Sequence, residues 1–105
     1  TLIKPHVYKV EGIGEDYLVK AVDFSLIDDI VQVHDKESFL MARRLAREEG
    51  IFAGGSSGSA VWAAMKIAGE IKEGKNIVVI LPDSGSRYLS KMYNDEWMKA
   101  NGFLD

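Results

Sequence analysis

The sequence predicts an α/β fold, a three-layer arrangement in which helices cover both faces of a mostly parallel, open sheet. Short apolar runs alternate with longer segments whose apolar residues recur every three or four positions, and the connections between them are short. The last apolar run, at residues 76–81, is uninterrupted, as in a strand covered on both faces. Ligands of open parallel sheets bind outside the carboxyl ends of the strands.

The first strand and helix are predicted between residues 27 and 50. The run 27–33 combines isoleucines and valines between acidic residues, and we interpret its second half as a strand. Asp35 follows as a candidate N-cap of a helix, and Gly50 ends that helix. His34 is interpreted as a surface or capping residue. The helix carries its apolar residues on one face: Phe39, Ala42, Leu45 and Ala46.

A second strand and helix follow directly. Residues 51–53 form a brief apolar strand that runs into the small residues 54–59. A helix is predicted from about Ser57 to Lys72, and Gly74 stops it. Its apolar residues recur at spacings of three and four: Val61, Ala64, Met65, Ala68 and Ile71. The small residues therefore lie at the carboxyl end of a strand.

The two ends of the chain are less regular. The strand 76–81 ends at Pro82, and a loop at 83–87 leads to one or two short helices between Tyr88 and Ala100. Near the start, residues 7–10 suggest extended chain and residues 11–14 a loop that needs unusual backbone angles. Residues 15–26 are predicted as loop with about one turn of helix. The last apolar residues are expected to pack back on the body: Trp97, Phe103 and Leu104.

The composition limits the kinds of partner. A formal net charge of −3 gives no electrostatic reason to expect nucleic acid or an anionic membrane surface. The chain has no cysteine, and His34 has no second histidine beside it, so no metal site is expected. The absence of cysteine permits cytoplasmic residence, which is the expected localisation. No apolar run approaches the roughly 18 residues of a membrane span. A start at Thr1 suggests a fragment or a processed chain.

The most informative segment is Ala53-Gly54-Gly55-Ser56-Ser57-Gly58-Ser59-Ala60. Glycines let backbone approach a ligand, and hydroxyls and helix-N-terminal amides offer hydrogen bonds. A glycine-rich turn with a serine N-cap would produce the same composition. The segment lacks the lysine of a phosphate-binding P-loop and does not match the dinucleotide pattern G-x-G-x-x-G.

Residues 54–58 also match the nucleophile elbow G-x-S-x-G, between a strand and a helix as that motif requires. A serine hydrolase with Ser56 as nucleophile is therefore an alternative. Hydrolases with this elbow place their histidine after the acid in chain order, whereas His6 and His34 both precede Ser56. Asp83 would find no histidine partner downstream.

Three stretches, in order, carry a resemblance to a known family: residues 10–14 (Val-Glu-Gly-Ile-Gly), 49–60 and 79–90. On these the chain resembles the cystathionine β-synthase and cysteine synthase family, pyridoxal-phosphate enzymes of fold type II, over nearly its whole length. The tail at 94–104 and the initial Val-Glu-Gly-Ile-Gly are similar to the cystathionine β-synthase branch. Residues 85–90 would suit either branch.

The resemblance implies roles for particular residues. Ser56 is similar to the serine that hydrogen-bonds the pyridine nitrogen of pyridoxal phosphate. A hydroxyl there leaves the ring essentially neutral, which favours β-elimination followed by addition of a thiol. Gly12, Ile13 and Gly14 resemble the loop on the substrate side of the cofactor, and Gly55 belongs to the same surroundings. An ordinary glycine turn is the alternative.

Residues 82–84 complete the implied site. Pro82, Asp83 and Ser84 leave a strand end beside the pyridine edge in the family pattern, where a loop cap is the alternative. The family's Schiff-base lysine, and its loop around the cofactor phosphate, lie upstream of the stretch that matches. No residue of this chain is therefore implied to be catalytic, and the chain alone is expected to be inactive.

The whole protein is expected to condense serine, or an activated serine, with homocysteine or a similar thiol. Cysteine synthase, which acts on O-acetylserine, is the alternative within the family. Residues 1–105 would form the C-terminal portion of the catalytic domain, and their partners would be the rest of that core and a second subunit in a homodimer. Haem or regulatory domains would lie outside the stretch that matches.

Overall fold

The structure is a computed structural model that describes residues 8–13 and 18–105. Within these ranges there are three α-helices, α1 (Asp35–Arg44), α2 (Gly55–Ala68) and α3 (Asp95–Ala100). A five-residue π-helix, Leu45–Glu49, continues α1, and two short 3-10 helices occupy Phe24–Leu26 and Gly85–Tyr88. None of the helices in the described part is long and apolar enough to cross a membrane.

The first helix begins where the sequence predicts but is capped differently. The N-cap is His34, which makes no side-chain capping hydrogen bond, and Asp35 is the first helical residue. The prediction of Asp35 as the N-cap is therefore wrong, because its carboxylate accepts hydrogen bonds from the backbone of residues 9 and 10 instead. Gly50 ends the π-helix with a φ of 68°, which confirms its predicted role as the stop.

The second helix is shifted towards the N-terminus relative to the prediction from Ser57 to Lys72. It starts at Gly55 and ends at Ala68, where Gly69 is the C-cap. Gly74 lies further on, in a turn with a φ of 83°. The apolar periodicity extends to Ile71, but the helix ends before it, at Gly69, and glycine is a poor helix former.

The predicted strands are not formed within the described residues. The one β-bridge found there joins Ala53 to Ser84, and it is antiparallel rather than parallel. Residues 76–81 have no regular secondary structure and no strand partner among the described residues, with Val78 90% exposed and Ile80 81% exposed. A strand needs a neighbour for its backbone hydrogen bonds, and no described segment lies beside this run to supply them. Residues 27–33 are likewise unpaired, and Ile30 is 73% exposed.

The core lies where α1 meets α2 and the C-terminal segment. The chain buries six apolar side chains there: Val10, Phe39, Ala42, Tyr88, Met92 and Met98. Trp97, Phe103 and Leu104 pack against this cluster, which confirms the expectation that the tail returns to the body. Phe39, Trp97 and Phe103 form edge-on and tilted ring contacts with centroids 5.3–6.0 Å apart.

Arg43 attaches the C-terminal segment to α1. Its Nη1 donates to the carbonyl oxygen of Met92 at 2.8 Å, and its Nη2 pairs with the carboxylate of Asp95. Asn94 caps α3 by accepting a hydrogen bond from the Trp97 amide at 3.0 Å. The short helix predicted between Tyr88 and Ala100 is thus present, and its N-terminus is fixed to the side of α1.

Candidate cofactor site at the start of helix α2

Two segments that are distant in sequence meet at the start of α2. The amide of Gly54 donates to the carbonyl oxygen of Asp83 at 3.2 Å, and the amide of Gly85 donates to the carbonyl oxygen of Phe52 at 3.1 Å. These bonds flank the Ala53–Ser84 bridge. The structure therefore brings the predicted residues at 54–56 together with those at 82–84.

Ser56 lies in the first turn of α2, where the helix leaves several amides without an intrahelical partner. Its side chain is half-buried, and no described residue makes a hydrogen bond with its hydroxyl. Ser57, by contrast, is fully buried, and its Oγ has no partner in the described structure. Of these two neighbouring serines, Ser56 is the one that solvent or a ligand can reach.

The carboxylate of Asp83 lies against Gly54, the residue just before α2. Its Oδ2 accepts a hydrogen bond of 2.6 Å from the Tyr88 hydroxyl, and its Oδ1 is buried without a hydrogen-bond partner in the described structure. A side chain on Gly54 would overlap the Asp83 carboxylate. Gly54 is therefore required by the packing of the protein itself, because the carboxylate occupies the space that a Cβ would need.

Tyr88 remains a hydrogen-bond donor to Asp83 over a wide pH range. The hydrogen bond to Asp83, followed by burial, raises the pKa of Tyr88 from 10.0 to about 12. Tyr88 is 8% exposed and comes from the 3-10 helix Gly85–Tyr88. Ser84 caps that helix through a 3.2 Å hydrogen bond from the Ser86 amide, whereas Pro82 is exposed and makes no described side-chain contact of this kind.

Tyr93 supports the other side of the turn. Its hydroxyl donates to the carbonyl oxygen of Ala53 at 2.5 Å, and its ring lies 4.7 Å from that of Phe52. Burial raises the pKa of Tyr93 from its ordinary value of 10.0. The half-buried phenol of Tyr93 thus holds the carbonyl oxygen just before the glycines, while Tyr88 holds the Asp83 carboxylate beside Gly54.

The loop that carries the predicted substrate-side residues packs against the start of α2. We call residues 9–13 the glycine loop. Gly12 has a φ of 81°, which confirms the unusual backbone angle expected there, and Ile13 is 43% exposed. Gly14 lies outside the described residues. A Cβ on Gly55 would lie 3.0 Å from the Phe39 ring and 3.6 Å from Val10, so the glycine loop packs against the start of α2 through Val10.

The sequence alone does not indicate that Tyr88, Tyr93 and Asp35 hold parts of this site. Tyr88 lies within the stretch that carries the family resemblance, but nothing in its spacing from Asp83 indicates a hydrogen bond. Tyr93 and Asp35 act on backbone atoms of residues about 40 and 25 positions away. Side-chain to backbone bonds over such separations leave no periodic signal in a single sequence.

The chemistry available at this turn fits a pyridine ring better than an acyl group. Ser56 has a hydroxyl free to donate to a ring nitrogen, whereas a serine nucleophile needs a histidine within hydrogen-bond reach. His34, the histidine that the structure describes, lies at the N-cap of α1, and no hydrogen bond joins it to Ser56. The residues present therefore fit the pyridine edge of pyridoxal phosphate, with Ser56 as the donor.

Comparison with known proteins also indicates pyridoxal phosphate as the cofactor. The family model described as "Pyridoxal-phosphate dependent enzyme" matches residues 2–83. The chain is 48% identical over 98 residues to cystathionine β-synthase of Dictyostelium discoideum, covering 93% of this chain and 20% of that protein. It is 44% identical over 103 residues to cysteine synthase of Buchnera aphidicola, covering 96% of this chain and 32% of that protein.

A solved structure extends the comparison to the fold. The chain aligns with O-ureido-L-serine synthase with a TM-score of 0.77 and 36% identity, over 88% of this chain and 32% of that one. The chain thus spans from about a sixth to a third of the length of the relatives it matches. A match to the family model over most of the chain, together with these relatives, shows that the chain belongs to the pyridoxal-phosphate-dependent enzymes of fold type II.

Proposed function

We propose that the protein containing this chain is a β-replacement enzyme, a cystathionine β-synthase that joins serine to homocysteine. The observation that carries the proposal is the free hydroxyl of Ser56 in the first turn of α2, on a backbone held by Asp83 and Tyr93. A hydroxyl at the pyridine nitrogen suits a reaction that needs only limited delocalisation of a carbanion. In this reaction the Cβ–O bond of serine breaks, a Cβ–S bond forms, and water leaves.

Each described part of the site has a separate task in this proposal. Bound pyridoxal phosphate supplies the electron sink for bond breaking and bond making at the substrate β-carbon. Ser56 binds the pyridine edge by donating its hydroxyl hydrogen. Asp83, held by Tyr88, keeps the turn at Gly54 in place. The glycine loop presents backbone at Gly12 to the amino-acid substrate, where the missing side chain leaves room.

The rest of the catalytic core would complete the site and the fold. Because this chain spans 20% of its Dictyostelium relative, the Schiff-base lysine and the phosphate loop are expected in the remainder. We propose that residues 1–105 are the C-terminal portion of the catalytic domain and that the exposed run 76–81 joins a parallel sheet there. A homodimer and cytoplasmic localisation remain predictions from the sequence.

Cysteine synthase is the second candidate, because the Buchnera enzyme of that name is only slightly less similar. We favour cystathionine β-synthase because the chain is 48% identical to the Dictyostelium enzyme of that name, and because the tail at 94–104 resembles that branch of the family. That tail, through Trp97 and Phe103, packs on α1 as part of the same core. The two candidates differ in the leaving group on the serine and in the thiol, so a direct assay separates them.

The test is a comparison of two substrate pairs with the purified full-length protein loaded with pyridoxal phosphate. One reaction contains L-serine and L-homocysteine, the other O-acetyl-L-serine and sulfide, and products are measured by mass spectrometry. Cystathionine formed with the higher kcat/KM supports the proposal. Cysteine formed with the higher kcat/KM supports the second candidate. If neither product forms with the cofactor bound, β-replacement is the wrong reaction.

A further inference from the structure

We infer that Asp35 is a positioning residue that fixes the glycine loop against the start of α2 and thereby sets the affinity for the amino-acid substrate. The inference rests on the proposed function, which places the substrate beside this loop. It assigns a task to a side chain that the sequence pattern presents only as a helix cap.

The carboxylate of Asp35 binds two consecutive backbone amides of the loop. Oδ2 accepts from the Lys9 amide at 2.6 Å, and Oδ1 accepts from the Val10 amide at 3.2 Å. Charge-assisted hydrogen bonds of this kind are shorter and stronger than neutral ones. Two such bonds to adjacent amides fix the direction of the chain as well as its position, because the carboxylate is planar.

The carboxylate itself stands on a rigid element. Asp35 is the first residue of α1, where the partial positive charge of the helix N-terminus favours an acid. Directly after the tether, Val10 is 7% exposed and reaches the neighbourhood of Gly55 and Phe39. Asp35 therefore holds the loop at a fixed place relative to the turn that carries Ser56.

A second contact holds the other end of the loop. Glu11 pairs with Lys91, which follows the 3-10 helix that carries Tyr88. Both side chains are about half exposed, so solvent screens this pair and its contribution is small. The Asp35 bond to the Lys9 amide is also exposed, but its bond to the Val10 amide is partly buried, so solvent screens that bond less. Gly12 and Ile13 follow directly, and neither makes a hydrogen bond or ion pair within the part of the chain that the structure describes.

The expected consequence is a change in KM with little change in kcat. A loop that contacts the bound amino acid outside the reacting bonds stabilises the bound substrate and the transition state about equally, and losing such uniform binding raises KM alone. A residue needed only for folding would instead lower the fraction of cofactor-loaded enzyme. The two cases are thus separable by one kinetic series and one spectrum.

The experiment uses the full-length protein with Asp35→Asn and Asp35→Ala, and Glu37→Gln as the matched control. Glu37 is the other acid in the first turn of α1, and its Oε2 is buried without a hydrogen-bond partner among the described residues. Its amide variant therefore removes a charge from the same helix end and leaves the Asp35 bonds to the loop intact. Asn retains one acceptor oxygen and the shape of Asp, which protects against a failure to fold. The KM for L-serine should rise about threefold in Asp35→Asn and about tenfold in Asp35→Ala, with kcat within about twofold.

Hydrogen exchange followed by mass spectrometry gives a readout that does not depend on activity. The peptide spanning residues 9–13 should exchange faster in both Asp35 variants than in the unchanged protein and in Glu37→Gln. Unchanged exchange of this peptide would overturn the tether. Faster exchange with an unchanged KM would overturn its role in substrate binding.

These results are distinguishable from a failure of the proposed function. If the protein binds no pyridoxal phosphate, the proposed function fails, while the exchange measurement still tests the tether. If the cofactor binds and products form normally, but the Asp35 variants match Glu37→Gln in both KM and exchange, the proposed function stands and the inference is wrong.

Discussion

Ser56 and Ser57 are neighbours of identical chemistry in opposite environments. Ser56 is half-buried with a hydroxyl that no described residue binds, and Ser57 is fully buried with an Oγ that likewise lacks a partner. A buried hydroxyl without a partner costs free energy, whereas one at the surface can serve a ligand. The two positions thus offer a matched pair for testing which serine binds the cofactor.

The first prediction compares Ser56→Ala with Ser57→Ala in the full-length protein. Ser56→Ala should weaken pyridoxal phosphate about fivefold, equivalent to a hydrogen bond of about 1 kcal/mol. Ser57→Ala should leave that affinity unchanged and should not lower the free energy of unfolding, because it removes an unpaired buried oxygen. Titration of the cofactor by fluorescence measures both. A loss of affinity confined to Ser57→Ala would contradict the assignment.

The Tyr88–Asp83 hydrogen bond ties the free energy of unfolding to pH at the alkaline end. Asp83 and burial raise the pKa of Tyr88 to about 12, against 10.0 for an unperturbed tyrosine. The folded state therefore keeps the phenolic proton where the unfolded state loses it. This stabilisation is complete below about pH 10 and disappears as the pH rises towards 12.

The second prediction follows from the raised pKa of Tyr88 in the folded state. Between pH 10 and 12 the free energy of unfolding should fall more steeply in the unchanged protein than in Tyr88→Phe, which has no phenol to ionise. Urea denaturation at several pH values measures the difference. Parallel pH curves for the two proteins would show that Tyr88 does not donate to Asp83 in the folded state.

At the scale of elements, the packing of α1 on α2 depends on a close backbone approach. A side chain on Gly58 would overlap the carbonyl oxygen of Ser38, and the hydroxyls of Ser38 and Ser59 lie 2.6 Å apart between the same helices. Ser59 also donates to the carbonyl oxygen of Gly55 at 3.3 Å. Small residues on α2 thus let α1, and with it Asp35, approach the site.

The third prediction compares Gly58→Ala with Gly69→Ala. Both glycines have helical or near-helical backbone, but a Cβ on Gly69 would meet only the Lys66 carbonyl oxygen, at an ordinary 3.5 Å. Gly58→Ala should lower the free energy of unfolding by about 2–3 kcal/mol, because backbone cannot move aside cheaply. Gly69→Ala should change it by less than about 1 kcal/mol. Urea denaturation of the full-length protein measures both, and equal effects would contradict the close crossing.

The elements that the sequence predicts well are those whose signals are local. The apolar spacing of α1 and the stop at Gly50 both appear as expected, because helix periodicity and a left-handed glycine depend on near neighbours. The ends of α2 are displaced, since Gly69 competes with a periodicity that continues to Ile71. The run 76–81 has the composition of a buried strand, but pairing requires partners that composition alone does not supply.

The site shows the same difference between local signals and contacts between distant segments. The sequence places Ser56 at a strand-to-helix turn, and the family resemblance implies that Asp83 lies near the same ligand. The structure joins the two segments through the hydrogen bond from the Gly54 amide to the Asp83 carbonyl oxygen. The sequence does not indicate that Asp35 would bind amides 25 residues away, or that Tyr93 would hold the Ala53 carbonyl. Such contacts depend on the packing of α1 against the tail, which a pattern of residue types does not encode.

At the scale of the whole molecule, the chain exposes several large apolar side chains. Val78, Ile80, Ile30 and Leu26 are each more than 70% exposed, and they lie in the unpaired runs that the sequence predicts as strand or in the segment before them. Burying such side chains is the main favourable contribution to folding. Their exposure here agrees with a chain that spans only a fifth of its Dictyostelium relative.

The fourth prediction concerns the amides of residues 77–81. In the full-length protein they should be protected from hydrogen exchange as in a central strand, and in the isolated 105-residue chain they should exchange rapidly, because there they lack partners. Peptide-level exchange with mass spectrometry measures both. The α1 amides of residues 39–44 serve as the internal control. Equal, rapid exchange of 77–81 in both proteins would contradict the proposed sheet.

The central claim, that this chain forms the pyridine edge of a pyridoxal phosphate site, is tested most directly by one spectrum. The visible absorption of the full-length protein is recorded with added pyridoxal phosphate, before and after addition of L-serine. We expect a cofactor band that changes position when serine binds. Absence of any protein-bound cofactor band after addition of pyridoxal phosphate would contradict the claim and return Gly54, Gly55 and Ser56 to the role of a structural turn.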